Sequence, residues 1–211
     1  MTPPKILILL AHPDLAQSRV ATALQAAALA LQSPQIECRD LYRLYPDYGI
    51  DVGTEQAALA AADLLVWLHP LHWYGMPALL KLWVDEVLQF GWAYGPGGTA
   101  LRGKDLWLVS STGGSAEDYS ASGHHQHPIN EFLLPQAQTA RLCGMRFVPP
   151  MLLHGAHRAD AATLHQHGLR FAQQLLNYPH WCEGFKYPSE LPKVPADERP
   201  SSAEPSSAGG H

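Results

Sequence analysis

Apolar residues along the chain occur in short continuous runs separated by longer mixed stretches. The runs at 5–11, 63–70 and 104–112 have the length of strands and few polar residues, which is typical of strands covered on both faces of a sheet. Two weaker strands are predicted at 36–41 and at 146–155, the second in spite of its two prolines. The chain therefore carries five candidate strands.

Helical segments lie between these strands. The alanine- and leucine-rich segment 19–32 has high helix propensity and follows Ser18, which stands in the position of an N-cap. Further helices are predicted at 54–62, 77–90, 129–143 and 159–177. Because strands and helices alternate, the pattern predicts an α/β fold with a parallel sheet and right-handed crossovers.

The composition changes after about Tyr178. Residues 188–211 are rich in Pro, Ser and Ala and have almost no large apolar groups. Such a segment cannot bury enough apolar surface to fold alone, so we expect one domain over 1–187 followed by a disordered tail, or at most an arm on a neighbour.

Composition and charge exclude several classes of protein. Of 211 residues 46% are hydrophobic, and the net charge of −5 without a dense Lys/Arg stripe argues against nucleic-acid binding. The three cysteines lack CxxC spacing, which indicates reduced thiols. No apolar run reaches the roughly 18 residues of a membrane span, and no signal peptide is visible. We expect a cytoplasmic protein without membrane insertion.

Candidate chemistry concentrates in the loops that follow the first, third and fourth strands, where open parallel sheets bind ligands. The first loop lacks the GxGxxG and P-loop patterns. A helix start can still bind a phosphate, here through Ser18 and the amides of Arg19, Val20 and Ala21, with His12 closing the site. The alternative is that Ser18 is only a cap and His12 only a strand-end residue.

The third-strand loop brings two aromatic rings to the sheet edge. Trp73 and Tyr74 could flank a flat heterocycle, while backbone groups of Leu71 and His72 hold its edge. The alternative is that the rings pack in the core under the next helix, where aromatic side chains are common.

The fourth-strand loop opens with Ser111, Thr112, Gly113 and Gly114. The glycines let the backbone come close to a ligand, and the hydroxyls add donors. This pattern alone is also common in ordinary turns.

The same loop continues with a phenol and an imidazole, Tyr119 and His125. Both can donate hydrogen bonds to an oxygen that becomes anionic as a hydride arrives. The alternative is a mobile surface loop with solvated histidines, which we favour for His124 and His127. The three close histidines lack the spacing and the further ligands of a zinc site, so no metal is expected.

Together these stretches resemble a known family over residues 5–178. The resemblance rests on AHPDLAQS, LYPDYGID, DLLVWLHPLHWYGMPALLKLWVDEVL, GWAYGPGGTALRGK and STGGSAEDYSASGHH. They are similar to the flavodoxin-like NAD(P)H:quinone reductases, and especially to the ancillary flavoproteins of glutathione-regulated potassium-efflux systems. The resemblance implies a doubly wound sheet of order 2-1-3-4-5.

The resemblance also implies a cofactor, an activity and partners. A flavin would bind, FMN more readily than FAD, with its phosphate at His12 and 18–21, its ring at 71–74 and its edge at 111–114. Hydride would pass from NADH or NADPH through the flavin to a quinone in ping-pong order. Tyr119 and His125 match a pair that assists hydride transfer in the animal reductases.

Two further functions stay open. The first is a regulatory subunit of a potassium-efflux antiporter, which would place the protein at the inner face of the membrane through its partner. The second is an electron-carrying flavodoxin, which the mild charge disfavours. The resemblance implies a homodimer, and the aromatic segment 90–95 together with Trp83 predicts its interface.

Overall fold

The computed structural model describes residues 3–188, and within them five strands form one parallel sheet of order β2-β1-β3-β4-β5. This confirms the predicted fold class and strand order. The strands are β1 (Ile6–Leu10), β2 (Ile36–Asp40), β3 (Leu64–Pro70), β4 (Asp105–Ser111) and β5 (Arg146–Leu153). The helices are α1 (Arg19–Ala30), α2 (Leu41–Leu44), α3 (Val52–Ala61), α4 (Ala78–Val87), α5 (Ile129–Phe132), α6 (Leu134–Leu142) and α7 (Ala161–Leu176). Single 3₁₀ turns lie at Leu15–Gln17 and His180–Cys182. Of the predicted tail 188–211, only residue 188 lies within the described residues.

Both faces of the sheet are covered, because successive strand side chains point to opposite faces. Ile8 and Val66 belong to one apolar core, which α1 and α7 cover. Leu9 and Trp67 belong to the other core, which includes residues of α3, α4 and α6. This two-sided burial explains why the central strands read as continuous apolar runs.

The prolines account for the main departures from the predicted elements. The helix predicted over 129–143 is divided at Leu133 into α5 and α6, since Pro135 has no N–H to donate back into the preceding turn. Strand β5 tolerates Pro149 and Pro150 because it is an edge strand. The β4–β5 register is irregular opposite them, between Trp107 and Val109.

Trp83 lies in the core and does not contribute to a surface patch. Its side chain is fully buried, and its Nε1 donates to Oε2 of Glu55 at 2.8 Å. Glu55 is itself buried and is also bonded by Arg39 and by the hydroxyl of Tyr45. Our prediction that Trp83 belongs to a dimer interface was therefore wrong, because this ring shields a buried carboxylate.

A second buried polar cluster, which we call the strand-base network, joins Asp105, Arg146, Tyr178 and Cys182 at the amino ends of β4 and β5. Arg146 donates to both oxygens of Asp105, at 2.8 and 2.7 Å, and to the Cys182 carbonyl at 2.8 Å. The hydroxyl of Tyr178 donates to Asp105 at 2.9 Å. The network therefore ties the segment after α7 to the base of the sheet.

A buried histidine lies at the other end of the sheet. His69, near the end of β3, has 1% of its surface exposed, and its Nδ1 lies 2.9 Å from the carbonyl oxygen of Pro70. Its Nε2 has no partner among residues 3–188. Burial lowers the pKa of His69 to about 4, with the Pro70 hydrogen bond opposing this effect. The imidazole is therefore neutral in the folded protein near pH 7.

We expect His69 to make the fold sensitive to acid. Its pKa is lower in the folded than in the unfolded chain, so protons favour unfolding as the pH falls from about 6.5 towards 4. Because of this histidine, the free energy of unfolding should be about 2 kcal/mol lower at pH 5 than at pH 7. His69→Leu should remove that part of the pH dependence, measured by urea denaturation at both values.

The same substitution at the exposed His165 of α7 is the control, and it should leave the pH dependence as in the unmodified protein. An unchanged difference between pH 5 and pH 7 in His69→Leu would show that this histidine does not control acid stability.

Candidate functional site

A cavity of about 360 Å³ opens at the carboxyl ends of the strands, between the start of α1 and the loop that precedes α7. This is the end at which doubly wound sheets bind ligands, and the volume falls in the range of small-ligand sites. The lining residues come from four separate loops: His12, Gln17, Ser18, Arg19, Val20, Pro70, Leu71, His72, Ser111, Thr112, Gly113, Ala156 and His157.

The structure brings most of the predicted binding residues together. Those that line the cavity are His12, Ser18, Arg19, Val20, Leu71, His72, Ser111, Thr112 and Gly113. Those outside its lining are Ala21, Trp73, Tyr74 and Gly114, together with Tyr119 and His125. The sequence reasoning missed Gln17, Pro70, Ala156 and His157. The last two follow β5, so the strand-end rule would have found them had it been applied to the fifth strand as well.

The start of α1 presents free donors to the cavity. The Oγ of Ser18 accepts the amide of Ala21 at 3.1 Å, which leaves its hydroxyl hydrogen available to a ligand. The amides of Arg19 and Val20 have no acceptor within the described part of the chain. Ala21 was predicted to offer its amide as well, but the Ser18 cap already uses it. The remaining donors suit an anion, as helix starts commonly do.

His12 adds a neutral donor. Its Nδ1 accepts the amide of Asp14 at 3.1 Å, so the ring hydrogen of the neutral imidazole is on Nε2. Burial, followed by the nearby His72, lowers the pKa of His12 below its usual value. The ring is therefore neutral near pH 7 and donates a hydrogen bond without a charge.

The loop after β4 is fastened to the loop after β5. Thr112 donates its amide to Leu153 at 2.9 Å, and Gly155 donates to the carbonyl of Gly114 at 2.8 Å. The Thr112 hydroxyl lies 2.9 Å from both the Gly114 carbonyl and Nδ1 of His154. Several hydrogen bonds thus fix the backbone that borders the cavity, in spite of its two adjacent glycines.

Tyr119 and His125 lie together beside this loop. Their rings stack with centroids 4.2 Å apart, and the Tyr74 hydroxyl is 3.4 Å from Nδ1 of His125. A Cβ on Gly114 would come within 3.2 Å of both rings, so a larger residue here would require the pair to shift by a few tenths of an ångström. Burial, then Tyr74 and Asp118, raises the pKa of Tyr119, which keeps its phenol protonated near pH 7.

The aromatic loop after β3 makes a tight reversal. His72 and Gly75 exchange both backbone hydrogen bonds, at 3.0 and 2.9 Å, around Trp73 and Tyr74. Both central residues have positive φ, 48° and 63°, as in a type I′ turn. Bulky side chains are strained in this conformation. The indole of Trp73 is 96% exposed, so the alternative that it packs in the core is wrong, and its contact with a ligand stays a prediction.

A parallel sheet of this order, with a ligand cavity built on a helix start, defines the class of flavodoxin-like α/β proteins. Comparison with known proteins agrees with this class. A family model described as "Flavodoxin-like fold" (Flavodoxin_2) matches residues 4–175. The chain belongs to this family.

Individual relatives are similar over most of their length. The glutathione-regulated potassium-efflux system ancillary protein KefF of Klebsiella aerogenes is 43% identical over 173 residues, 82% of this chain and 96% of the relative. The general stress protein 14 of Treponema denticola, solved in complex with FMN, is 37% identical with a TM-score of 0.75, over 81% and 97% of the two chains. An NADPH-quinone reductase of P. pentosaceus is 28% identical with a TM-score of 0.72, over 80% and 96%. These relatives confirm the predicted resemblance.

The residues present fit a flavin mononucleotide. The donor set at one side of the cavity combines a hydroxyl, two free amides, a neutral imidazole and the Arg19 side chain, which together suit a phosphate. At the other side, the backbone of the segment 111–113 and of Leu71 borders the cavity. Separately, none of the helices within residues 3–188 is long and apolar enough to cross a bilayer.

We expect the strain at Trp73 to be measurable. Asn adopts positive φ more readily than Trp, so Trp73→Asn should raise the free energy of unfolding by about 1 kcal/mol, while Trp73→Val should lower it. The exposed indole contributes little packing that Asn would lose. Urea denaturation of the three proteins measures both effects, and equal stability of the two variants would contradict the assignment of strain.

Proposed function

We propose that the protein is an FMN-dependent NAD(P)H:quinone oxidoreductase. The observation that carries this proposal is the cavity at the carboxyl ends of the strands, where the free amides of Arg19 and Val20 at the start of α1 face the loops after β3 and β4. The family supports it, since relatives include a protein solved with FMN and an NADPH-quinone reductase.

The chain's own residues divide the binding between two sides of the cavity. Ser18, Arg19 and Val20 bind the anionic end of the cofactor, with His12 as a neutral donor. Leu71, in the loop after β3, and the segment 111–113, in the loop after β4, would hold the flat ring system of the cofactor. Ala21 supports this arrangement indirectly, because its amide fixes the Ser18 hydroxyl.

A bound flavin would accept a hydride and pass it on, and the protein would supply hydrogen-bond donors beside it. The Tyr119 phenol is protonated near pH 7, and the stacked His125 adds an imidazole. Each can donate a hydrogen bond to an oxygen on which negative charge develops. NADH or NADPH and the quinone would bind in turn at the same solvent-facing face of the flavin, which would give ping-pong kinetics. Trp73 and Tyr74 would border that face, since they directly follow the lining residue His72.

To test the activity, we expect the purified protein to carry FMN and to show parallel double-reciprocal plots for NADPH and a soluble quinone. The double variant Tyr119→Phe/His125→Gln should bind FMN normally but lose at least about 100-fold in kcat/KM, as expected when donors to a developing charge are removed. Steady-state kinetics and flavin absorbance measure both.

His127→Gln is the matched control, because His127 lies in the same loop but is exposed and bonded to Glu131. It should retain full turnover. A protein that neither contains nor takes up FMN would refute the proposal, and a fully active double variant would refute the roles of Tyr119 and His125.

A second function is supported by the relationship to KefF, which covers 96% of that protein at 43% identity. We propose as the alternative that the chain is an ancillary subunit of a glutathione-regulated potassium-efflux antiporter. In that case it would be a cytoplasmic protein at the inner face of the membrane. The formation of a homodimer also remains a prediction. Trp83 is not part of its predicted interface, because its side chain lies in the core.

The two functions make different predictions for one variant. If the protein is an ancillary subunit, the Tyr119→Phe/His125→Gln protein should still stimulate potassium efflux by its antiporter, although it no longer reduces quinone. Efflux from cells that express the antiporter with the unmodified or the variant protein measures this. No stimulation by either protein would exclude the regulatory function.

A further inference from the structure

The loop after β5 places an unforeseen histidine in the cavity. His157 lines the same space as Ser18, Arg19 and Val20, and its Nε2 lies 3.4 Å from where a Cβ on Gly113 would be. Its side chain is exposed and makes no hydrogen bond within residues 3–188. A free imidazole is therefore directed across the end of β4 towards the binding space.

The fold explains why this loop reaches the start of α1. α7 packs on the same face of the sheet as α1. The amide of Ala156 donates to the Thr112 carbonyl at 2.9 Å, which fixes the residue before His157 to the end of β4. His157 thus stands on a held backbone, between the fourth strand and the two helix starts.

The lining of the cavity contains a permanent cation but no carboxylate. The charged or titratable side chains in its lining are His12, Arg19, His72 and His157, with no carboxylate among them. The nearby Asp160 caps α7 and interacts with Arg19.

Arg19 is thus the permanent cation of the lining, and His12 stays neutral because burial lowers its pKa. A phosphomonoester carries close to two negative charges near pH 7, since its second pKa is about 6. The amides at the start of α1 offset about half a charge. Arg19 offsets one more, so an imidazole that shares a proton with the bound phosphate would act as a second cation. His157 is exposed and makes no competing hydrogen bond within residues 3–188.

We propose that His157 binds the terminal phosphate of FMN together with Arg19 and the start of α1, and so makes the cavity selective for a phosphomonoester. This inference rests on the proposed flavin-dependent function and extends it to the choice of cofactor. A diphosphate-linked dinucleotide carries one charge on each phosphorus and gains less from this second cation. The cavity then prefers FMN to FAD, and it prefers FMN to riboflavin.

The test compares ligands that differ only in the phosphate. Dissociation constants of FMN and riboflavin for the apoprotein are measured by flavin fluorescence quenching in the unmodified protein, His157→Gln and His157→Lys. We expect His157→Gln to weaken FMN binding about tenfold, as for the loss of one charge-assisted hydrogen bond, with riboflavin unchanged. His157→Lys should retain most of the FMN affinity, because it restores a cation. His180→Gln, at an exposed histidine bonded to Glu183, is the control and should bind both flavins normally.

The outcomes separate this inference from the proposed function. Equal weakening of FMN and riboflavin in His157→Gln, or no weakening at all, would overturn the phosphate contact while leaving flavin binding intact. Loss of FMN affinity in His157→Lys as large as in His157→Gln would overturn the charge assignment. If the unmodified protein bound neither flavin, the proposed function and this inference would both be refuted.

Discussion

The burial of both faces of the parallel sheet is the constraint from which the rest of the structure follows. Trp67 and Trp107, in the middle of adjacent strands, are fully buried. A sheet covered on both sides has no open face for a ligand, and its strand ends are where polar groups can meet solvent. The site must then be assembled from loops that are distant in sequence. That is why residues as far apart as His12 and His157 border one small cavity.

The features that the sequence could predict are those encoded locally. The three apolar runs and the two weaker strand patterns together predicted all five strands, and the Ser18 cap marked the start of the first long helix. The division at Leu133 was not predicted, although its cause is local, since Pro135 cannot continue the ladder of a preceding helix. Most of the binding residues could be named because the strand-end rule links sheet topology directly to particular loops.

The features that it could not predict depend on packing between distant segments. Nothing near Trp83 in the chain signals its bond to Glu55, so the ring was taken for a surface feature. The tight turn at Trp73 and Tyr74 contradicts local preference, because neither residue favours positive φ. Arg146, isolated in the sequence, finds its carboxylate 41 positions away.

The strand-base network and the cavity lie at opposite ends of the sheet. The bonds of Arg146 to Asp105 and to the segment after α7 lie at the amino ends of β4 and β5, whereas the cavity lies at their carboxyl ends. Side chains that secure the fold and side chains that choose the ligand are thereby separated by the full length of two strands. Mutations among the residues that line the cavity can then accumulate during evolution without breaking the strand-base network. One scaffold of this kind can therefore give rise to descendants that differ in the ligands they bind.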